Sequence, residues 1–187
     1  MKTFNWSKMV AKLKKAEKVY LWVIDDEQIQ LCLSDSFFIV SIPLTKLPEK
    51  VKEFVASRFN KFPEIGDALI SYKDGSIVTD GYEFLKILDL DKNELTKLHD
   101  TGLVGISGRD THKIFYDPSV GDYIVFSMSN VGDFIKDWSA VSLYGKAPIG
   151  ATKFEPMSGE WSMVGMPLRL GARNKYLKSG GMIQSEE

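Results

Sequence analysis

The chain has a single cysteine, Cys32, among 187 residues, so no internal disulfide can form. Cys32 lies in the alternating segment Ile29-Gln30-Leu31-Cys32-Leu33, where a buried thiol acts as a small hydrophobe. No apolar run approaches the ~20 residues that span a bilayer, which excludes a membrane helix. The basic N-terminus is not followed by the apolar stretch and cleavage site of a secretory signal. The expected location is therefore a reducing cytoplasm. Histidine is scarce too: only His99 and His112 occur, and neither sits in a metal-binding or metalloprotease spacing. Arg109-Asp110-Thr111-His112 brings an acid and a base together without a positioned nucleophile or second carboxylate. Ser107-Gly108-Arg109 and Ser179-Gly180-Gly181 lack the strand-to-helix setting of a phosphate loop. Asp25-Asp26-Glu27 is explained by a hairpin turn before a cation site is needed. No catalytic residue, metal site or cofactor is expected.

What the chain does have is separated charge. The formal net charge is −1, yet residues 1–18 carry Lys2, Lys8, Lys12, Lys14, Lys15 and Lys18 against Glu17 alone. Residues 46–61 carry Lys46, Lys50, Lys52, Arg58 and Lys61 against Glu49 and Glu53. Two basic segments thus sit on an acidic remainder, the separation that makes a directed field.

The apolar residues Trp6, Met9, Val10, Leu13 and Ala16 fall at the spacing of one helical face, with lysine opposite and Asn5 or Ser7 as cap. Three strands follow, Val19 to Ile24, Ile29 to Leu33 and Phe37 to Leu44. A second helix is predicted over 48–62, with Val51, Phe54, Val55, Phe59 and Phe62 inward. It precedes strands at Ala68 to Tyr72, Ser76 to Thr79 and Tyr82 to Leu88. A third unit starts with a short helix from Lys92 through Leu98 and continues with Leu103 to Ser107, His112 to Tyr116 and Asp122 to Ser127. The fourth has a helix from Asn130 to Trp138, then Ala140 to Tyr144, Ala151 to Glu155 and Trp161 to Leu170. Helix starts recur about every 40 residues, the range of repeated supersecondary units. Val40-Ser41-Ile42-Pro43-Leu44 and Val164-Gly165-Met166-Pro167-Leu168 read as matching strand ends. Residues 171–187 lose apolar periodicity and read as a flexible tail.

This pattern resembles the DNA sliding clamps, and among them the trimeric replication clamps of tailed bacteriophages. The resemblance rests on Ser142 to Leu170, through Lys146, the run Gly150-Ala151-Thr152-Lys153-Phe154-Glu155 and an aromatic-led last strand. Met166-Pro167-Leu168-Arg169-Leu170 is similar to the Met-Pro-x-Arg-Leu end of bacterial clamps. The rest matches in element order. The resemblance implies an α+β clamp fold, antiparallel sheets outside and helices inside, with two domains at 1–90 and 91–170. It implies a homotrimeric processivity factor that encircles double-stranded DNA without sequence preference and tethers a DNA polymerase and a clamp loader. A phage-encoded chain would act in the host cytoplasm. The alternative is a monomeric clamp-fold protein that captures or inhibits a replication protein without forming a ring.

A clamp holds DNA through many weak phosphate contacts, which suits flexible lysines. The candidates are Lys8, Lys12, Lys14, Lys15, Lys18, Lys46, Lys50, Arg58 and Lys61. The helix at 130–138 carries Asp133 and Asp137 beside Lys136 and is a poor DNA-facing element. Solvated helix faces explain the same charge without any DNA. Val125, Leu143, Met166, Pro167 and Leu168 are the candidate lining of a partner-peptide pocket, and core packing is the other explanation for them.

Overall fold

The computed structural model describes residues 3–25, 29–35, 37–62, 64–79, 94–107, 109–147 and 150–168. The first helix, α1 (Trp6–Leu13), buries Trp6, Met9, Val10 and Leu13. Asn5 Oδ1 caps it by accepting from Lys8 N at 3.3 Å. Strands β1 (Lys18–Asp25), β2 (Ile29–Ser34) and β3 (Phe38–Pro43) follow. Helix α2 (Glu49–Phe59) buries Val51, Phe54, Val55 and Phe59. It stops three residues short of expectation because Asn60 turns left-handed at φ 54°, a conformation asparagine tolerates. Phe62, expected inward, therefore lies past the helix and is 67% exposed. Strands β4 (Ala68–Tyr72) and β5 (Ile77–Thr79) form the next hairpin. The expected strand Tyr82 to Leu88, the boundary at residue 90 and the tail 171–187 lie outside the described residues.

Neither of the two later expected helices is an α-helix among the described residues, and residues 92 and 93 of the first lie outside them. Thr96–Lys97 is strand β6, and Leu98 N donates to Leu143 O at 2.9 Å. Burial of Leu98 on the sheet outweighs the helical propensity of 94–98. Between Asn130 and Trp138 there is no α-helix, only 3₁₀ turns at Gly132–Phe134 and Trp138–Ala140. The N-terminal segment is the cause. Asn5 N donates to Phe134 O at 2.7 Å and Lys136 N to Thr3 O at 2.8 Å, so these groups are committed to a bridge between segments. Asp137 Oδ1 then accepts from Ser139 N and Oγ, closing the second turn.

The remaining strands are β7 (His99–Ser107), β8 (Asp110–Asp117), β9 (Asp122–Ser127), β10 (Val141–Gly145), β11 (Thr152–Pro156) and β12 (Ser162–Gly165). The last ends earlier than expected; Arg169 and Leu170 lie outside the described residues. The described strands form a nine-stranded antiparallel sheet, β5-β4-β1-β2-β3-β12-β11-β10-β6, and a three-stranded sheet, β7-β8-β9. The fold is α+β. Among the described residues no helix is long and apolar enough to cross a membrane.

One cross-strand row organises the large sheet. Leu69, Leu21, Leu33, Val40, Met163, Phe154 and Leu143 are successive partners across seven strands, and Leu98 extends the row beside Leu143. Cross-strand partners share a face, so the row forms one apolar stripe, and each fully buried aliphatic member stabilises the fold by about 1.5–3 kcal/mol, Leu69 at its end being only partly buried. The stripe is symmetric about the Val40–Met163 pair. Leu33 answers Phe154, Leu21 answers Leu143 and Leu69 answers Leu98. The first and last three-strand units are thus quasi-equivalent halves of one sheet with one core.

That register corrects the matching of Val40–Leu44 with Val164–Leu168. Val40 pairs with Met163 on the core side, whereas Val164 pairs with Ile39 on the reverse face. A one-residue slip exchanges faces, so the two strand ends are similar in sequence but not equivalent in position.

The two halves have different lids. Helices α1 and α2 cover the first: Arg58 Nη2 donates to Ser71 O at 3.3 Å, and α2 buries Val51, Phe54 and Val55 in the common core. The three-stranded sheet covers the second through Phe115, Ile124 and Phe126, whose ring lies 5.2 Å from that of Phe154. Gly145 permits this contact, because a Cβ there would meet Thr152, Ile124 and Leu98. The reverse face buries Trp22, Cys32, Ile39 and Ala68, and burial pushes the Cys32 thiol up to about 11.

Candidate nucleic-acid interface

The two helices lie side by side. Lys50 Nζ on α2 donates to Ser7 Oγ on α1 at 3.0 Å, and a groove of about 440 Å³ between them is lined by Ser7, Ala11, Lys14, Lys50, Glu53 and Ser57. Lysines from both predicted basic segments meet here. Lys14 lies on the flank beside α2, while Lys15 lines a second cleft of about 610 Å³ with Lys12, Lys18, Glu17, Asp35 and Phe37. Lys14 and Lys15 are exposed, and neither side chain has an ion-pair or hydrogen-bond partner among the described residues. Lys46 is likewise exposed after β3. Lys18 Nζ lies 5.2 Å from the centre of the Tyr72 ring, a cation–π contact that leaves it able to meet an anion.

The other candidate cations are already engaged. Lys8 Nζ pairs with Asp133 Oδ2 at 2.7 Å, so an acid expected to spoil the fourth helix instead neutralises the first. Lys12 points away from α2. Its Nζ donates to Asn130 Oδ1 at 2.9 Å, lies 4.8 Å from the Phe37 ring centre and feels Asp35 and Asp110. Burial pulls its pKa down despite those two acids. Arg58 is a structural tie: Nη2 donates to Ala16 O and Ser71 O, both at 3.3 Å, joining the end of α1 to β4. Lys61 pairs with Asp67 at 2.9 Å and Glu64 at 3.5 Å; the Asp67 bond leads the interactions that raise its pKa. On α2, Lys52 pairs with Glu49 at 3.3 Å and Glu53 lines the groove. The excess charge of 46–61 is therefore spread around the molecule instead of forming a helical stripe. Helical periodicity places side chains on faces but says nothing of acids that arrive from distant segments, such as Asp133 and Asp67.

The proposed pocket residues divide. Met166 is 43% exposed, and its N donates to Phe37 O at 2.9 Å; Leu168 N donates to Val125 O at 2.8 Å. The segment after β12 thus fastens β3's approach to β9. Pro167 and Val125 are buried there, but Leu143 belongs to the apolar row inside the core. These five side chains do not share one surface.

Asp110 and His112 do come together, with His112 Nε2 3.4 Å from Asp110 Oδ2. Asp110 is a hub for the turn after β9: it accepts from Ser127 Oγ and from Ser129 N at 3.2 Å. Burial raises its pKa, and the bonds from Ser127 and Ser129 together outweigh that and lower it. Ser127 bonds the carboxylate directly rather than the imidazole, which is the geometry of a turn clasp and not of an activated nucleophile. Among the described residues no group of three or more His, Cys, Asp or Glu converges to hold a metal ion. One feature carried no sequence signal: Leu103, Val104 and Ile106 on β7 are more than half exposed.

No family model matches the chain, and no curated protein and no solved structure matches it.

Proposed function

We propose that this protein is a non-catalytic, clamp-type scaffold that holds duplex DNA through phosphate contacts from its helical face. The observation that carries the reading is the placement of α1 and α2 side by side with Lys14 and Lys50 lining the groove between them and Lys15 exposed just past the end of α1. Lysine contacts of this kind neutralise phosphates without reading bases, as a protein that moves along DNA requires. The quasi-symmetric sheet behind the helices supports the clamp comparison, since it builds a rigid back from repeated three-strand units. On this reading copies of the chain close around DNA, three to a ring, and a polymerase and a loader dock on the outside. The DNA-facing set is narrower than the sequence implies: Lys14, Lys15 and Lys50, flanked by Lys18 and Lys46.

Encirclement has a direct test. A closed ring survives high salt on nicked circular DNA and slides off once the circle is cut, because retention is topological rather than ionic. Equal loss from circular and linear DNA on raising salt would rule out encirclement and leave an open phosphate-binding scaffold. Failure to bind unrelated duplex sequences at low salt would overturn the DNA reading itself.

A further inference from the structure

We infer that Asp133 belongs to the duplex-facing surface: it occupies Lys8 in the place of a DNA phosphate and so holds down the affinity of the helical face. The inference rests on the duplex reading and names how that site is tuned. Lys8 Nζ lies 2.7 Å from Asp133 Oδ2, and the two side chains are 55% and 42% exposed, so the pair is open to an approaching duplex. Lys8 stands two helical turns before Lys15, which places both on one side of α1, roughly 10 Å apart along its axis. Lys15 N donates to Lys12 O at 3.0 Å and carries the turn of the helix past Leu13. That side of α1 therefore has an unpaired cation at its end and an occupied one at its start. Lys50 reaches the same start, since its Nζ donates to Ser7 Oγ, on the residue before Lys8, at 3.0 Å. A phosphate backbone that meets Lys15 and Lys50 thus also meets the Asp133 carboxylate.

The fold, not the local sequence, delivers this acid. Lys52–Glu49 and Lys61–Glu64 join residues three apart, as charged helical segments do on their own. Lys8 and Asp133 lie 125 residues apart. The turn that carries Asp133 is fixed on every side: Val131 N donates to Ser127 O at 3.1 Å, Asp133 N to Met128 O at 2.7 Å and Asn5 N to Phe134 O at 2.7 Å. Gly132 lets it close, because a Cβ there would collide with Met128 Sδ. One helical turn along α1 the same segment engages a second lysine, with Asn130 Oδ1 accepting from Lys12 Nζ at 2.9 Å. The turn after β9 thus covers the Lys8–Lys12 flank of α1 and leaves the flank of Lys14 and Lys50 open. An exposed ion pair contributes little to stability, so a phosphate can compete with it, and the carboxylate acts as a brake and not as a lock. Each cation so occupied removes one phosphate contact from the binding face.

The test is a salt titration of the full chain's affinity for a duplex of arbitrary sequence, repeated with variants of the pair. Asp133→Asn frees Lys8 at nearly constant side-chain size. It should bind several-fold more tightly at low salt, with the slope of log affinity against log salt steeper by about 0.9, the share of one phosphate contact. Lys8→Gln leaves Asp133 unpaired and should bind no more tightly than the native chain. The two changes together should return affinity and slope to the native values, because the gain needs the Lys8 ammonium. Glu94→Gln, at an exposed acid beside β6 on the edge of the other half of the sheet, changes net charge equally and should leave the slope as it is. The melting curves should stay close to the native one throughout. Native affinity and slope in Asp133→Asn, a gain that persists without Lys8, or an equal gain from Glu94→Gln would each overturn the brake and leave the duplex reading standing. Absence of duplex binding by both the native chain and Asp133→Asn would overturn the duplex reading and the brake with it.

Discussion

The two halves of the large sheet present the same apolar row and carry different lids. Over β1 to β3 the lid is a pair of helices whose outer surface is polar and charged; over β10 to β12 it is a three-stranded sheet whose β7 exposes Leu103, Val104 and Ile106. An α-helix satisfies its own backbone, so its outer face is free to carry charge for a ligand. A sheet leaves one row of backbone groups unpaired at each edge and so invites another chain. On the proposed reading the helical lid is the side that meets DNA phosphates, while the sheet lid leaves Leu103, Val104 and Ile106 exposed.

If the halves share one core, damage on either side should unfold both. Phe154→Ala removes a fully buried ring that meets Phe126 and Trp138 and should cost about 3–5 kcal/mol; Leu33→Ala, on the helix-covered half, should cost about 2–5 kcal/mol. Urea unfolding followed by tryptophan emission and by far-ultraviolet dichroism should give one coincident transition for each variant. Separate transitions would show two independent units.

Acid should separate the halves. Asp100, Asp110 and Asp117 all belong to the three-stranded lid, and each is held below the usual range. In each case burial pushes upward and is outweighed, at Asp117 by bonds from Ser119 and from Ala147 N at 2.9 Å. A depressed carboxylate contributes stability that is present above the unfolded value near 4 and lost as pH falls through the lower folded value. Asp35, beside Lys12 on the helical side, has the opposite sign: burial raises it, so protonation relieves the fold as pH drops through that raised value. Amide exchange between pH 7 and 3 should show β7–β9 opening before the α1–β3 region. Asp117→Ala should cost about 2–3 kcal/mol, because two backbone N–H groups and a hydroxyl lose a charged acceptor.

Smaller effects separate structural cations from ligand-facing ones. Arg58→Ala should cost about 1–2 kcal/mol through lost carbonyl bonds and stem packing, with duplex affinity nearly unchanged. Lys8→Ala, which breaks an exposed pair with Asp133, should change stability by under about 1 kcal/mol. Thermal melts and duplex titrations of both variants check these expectations.

Much of the first half was legible because its signals are local. The spacing of Trp6, Met9, Val10 and Leu13 and the alternation along 29–33 place α1 and β2 within a residue or two of where they lie. The second half depends on distant partners. Residues 130–138 lose their helix to the backbone of Thr3 and Asn5, and Leu98 becomes extended because Leu143 lies across from it. The candidate site splits the same way. Periodicity identifies Lys14 and Lys15 as solvent-facing, but only the fold shows Asp133 at Lys8, Asn130 at Lys12 and Asp67 at Lys61. The apolar exposure on β7 was invisible because Leu103, Val104 and Ile106 have the composition of any buried strand.

The salt dependence of duplex affinity tests the central claim most directly, measured for the native chain and for Lys14→Gln, Lys15→Gln and Lys50→Gln combined. Each phosphate-neutralising lysine contributes about 0.9 to the slope of log affinity against log salt, so the triple variant should bind more weakly with a slope shallower by about 3. A variant that keeps the native affinity and slope would contradict the assignment of the helical face to DNA.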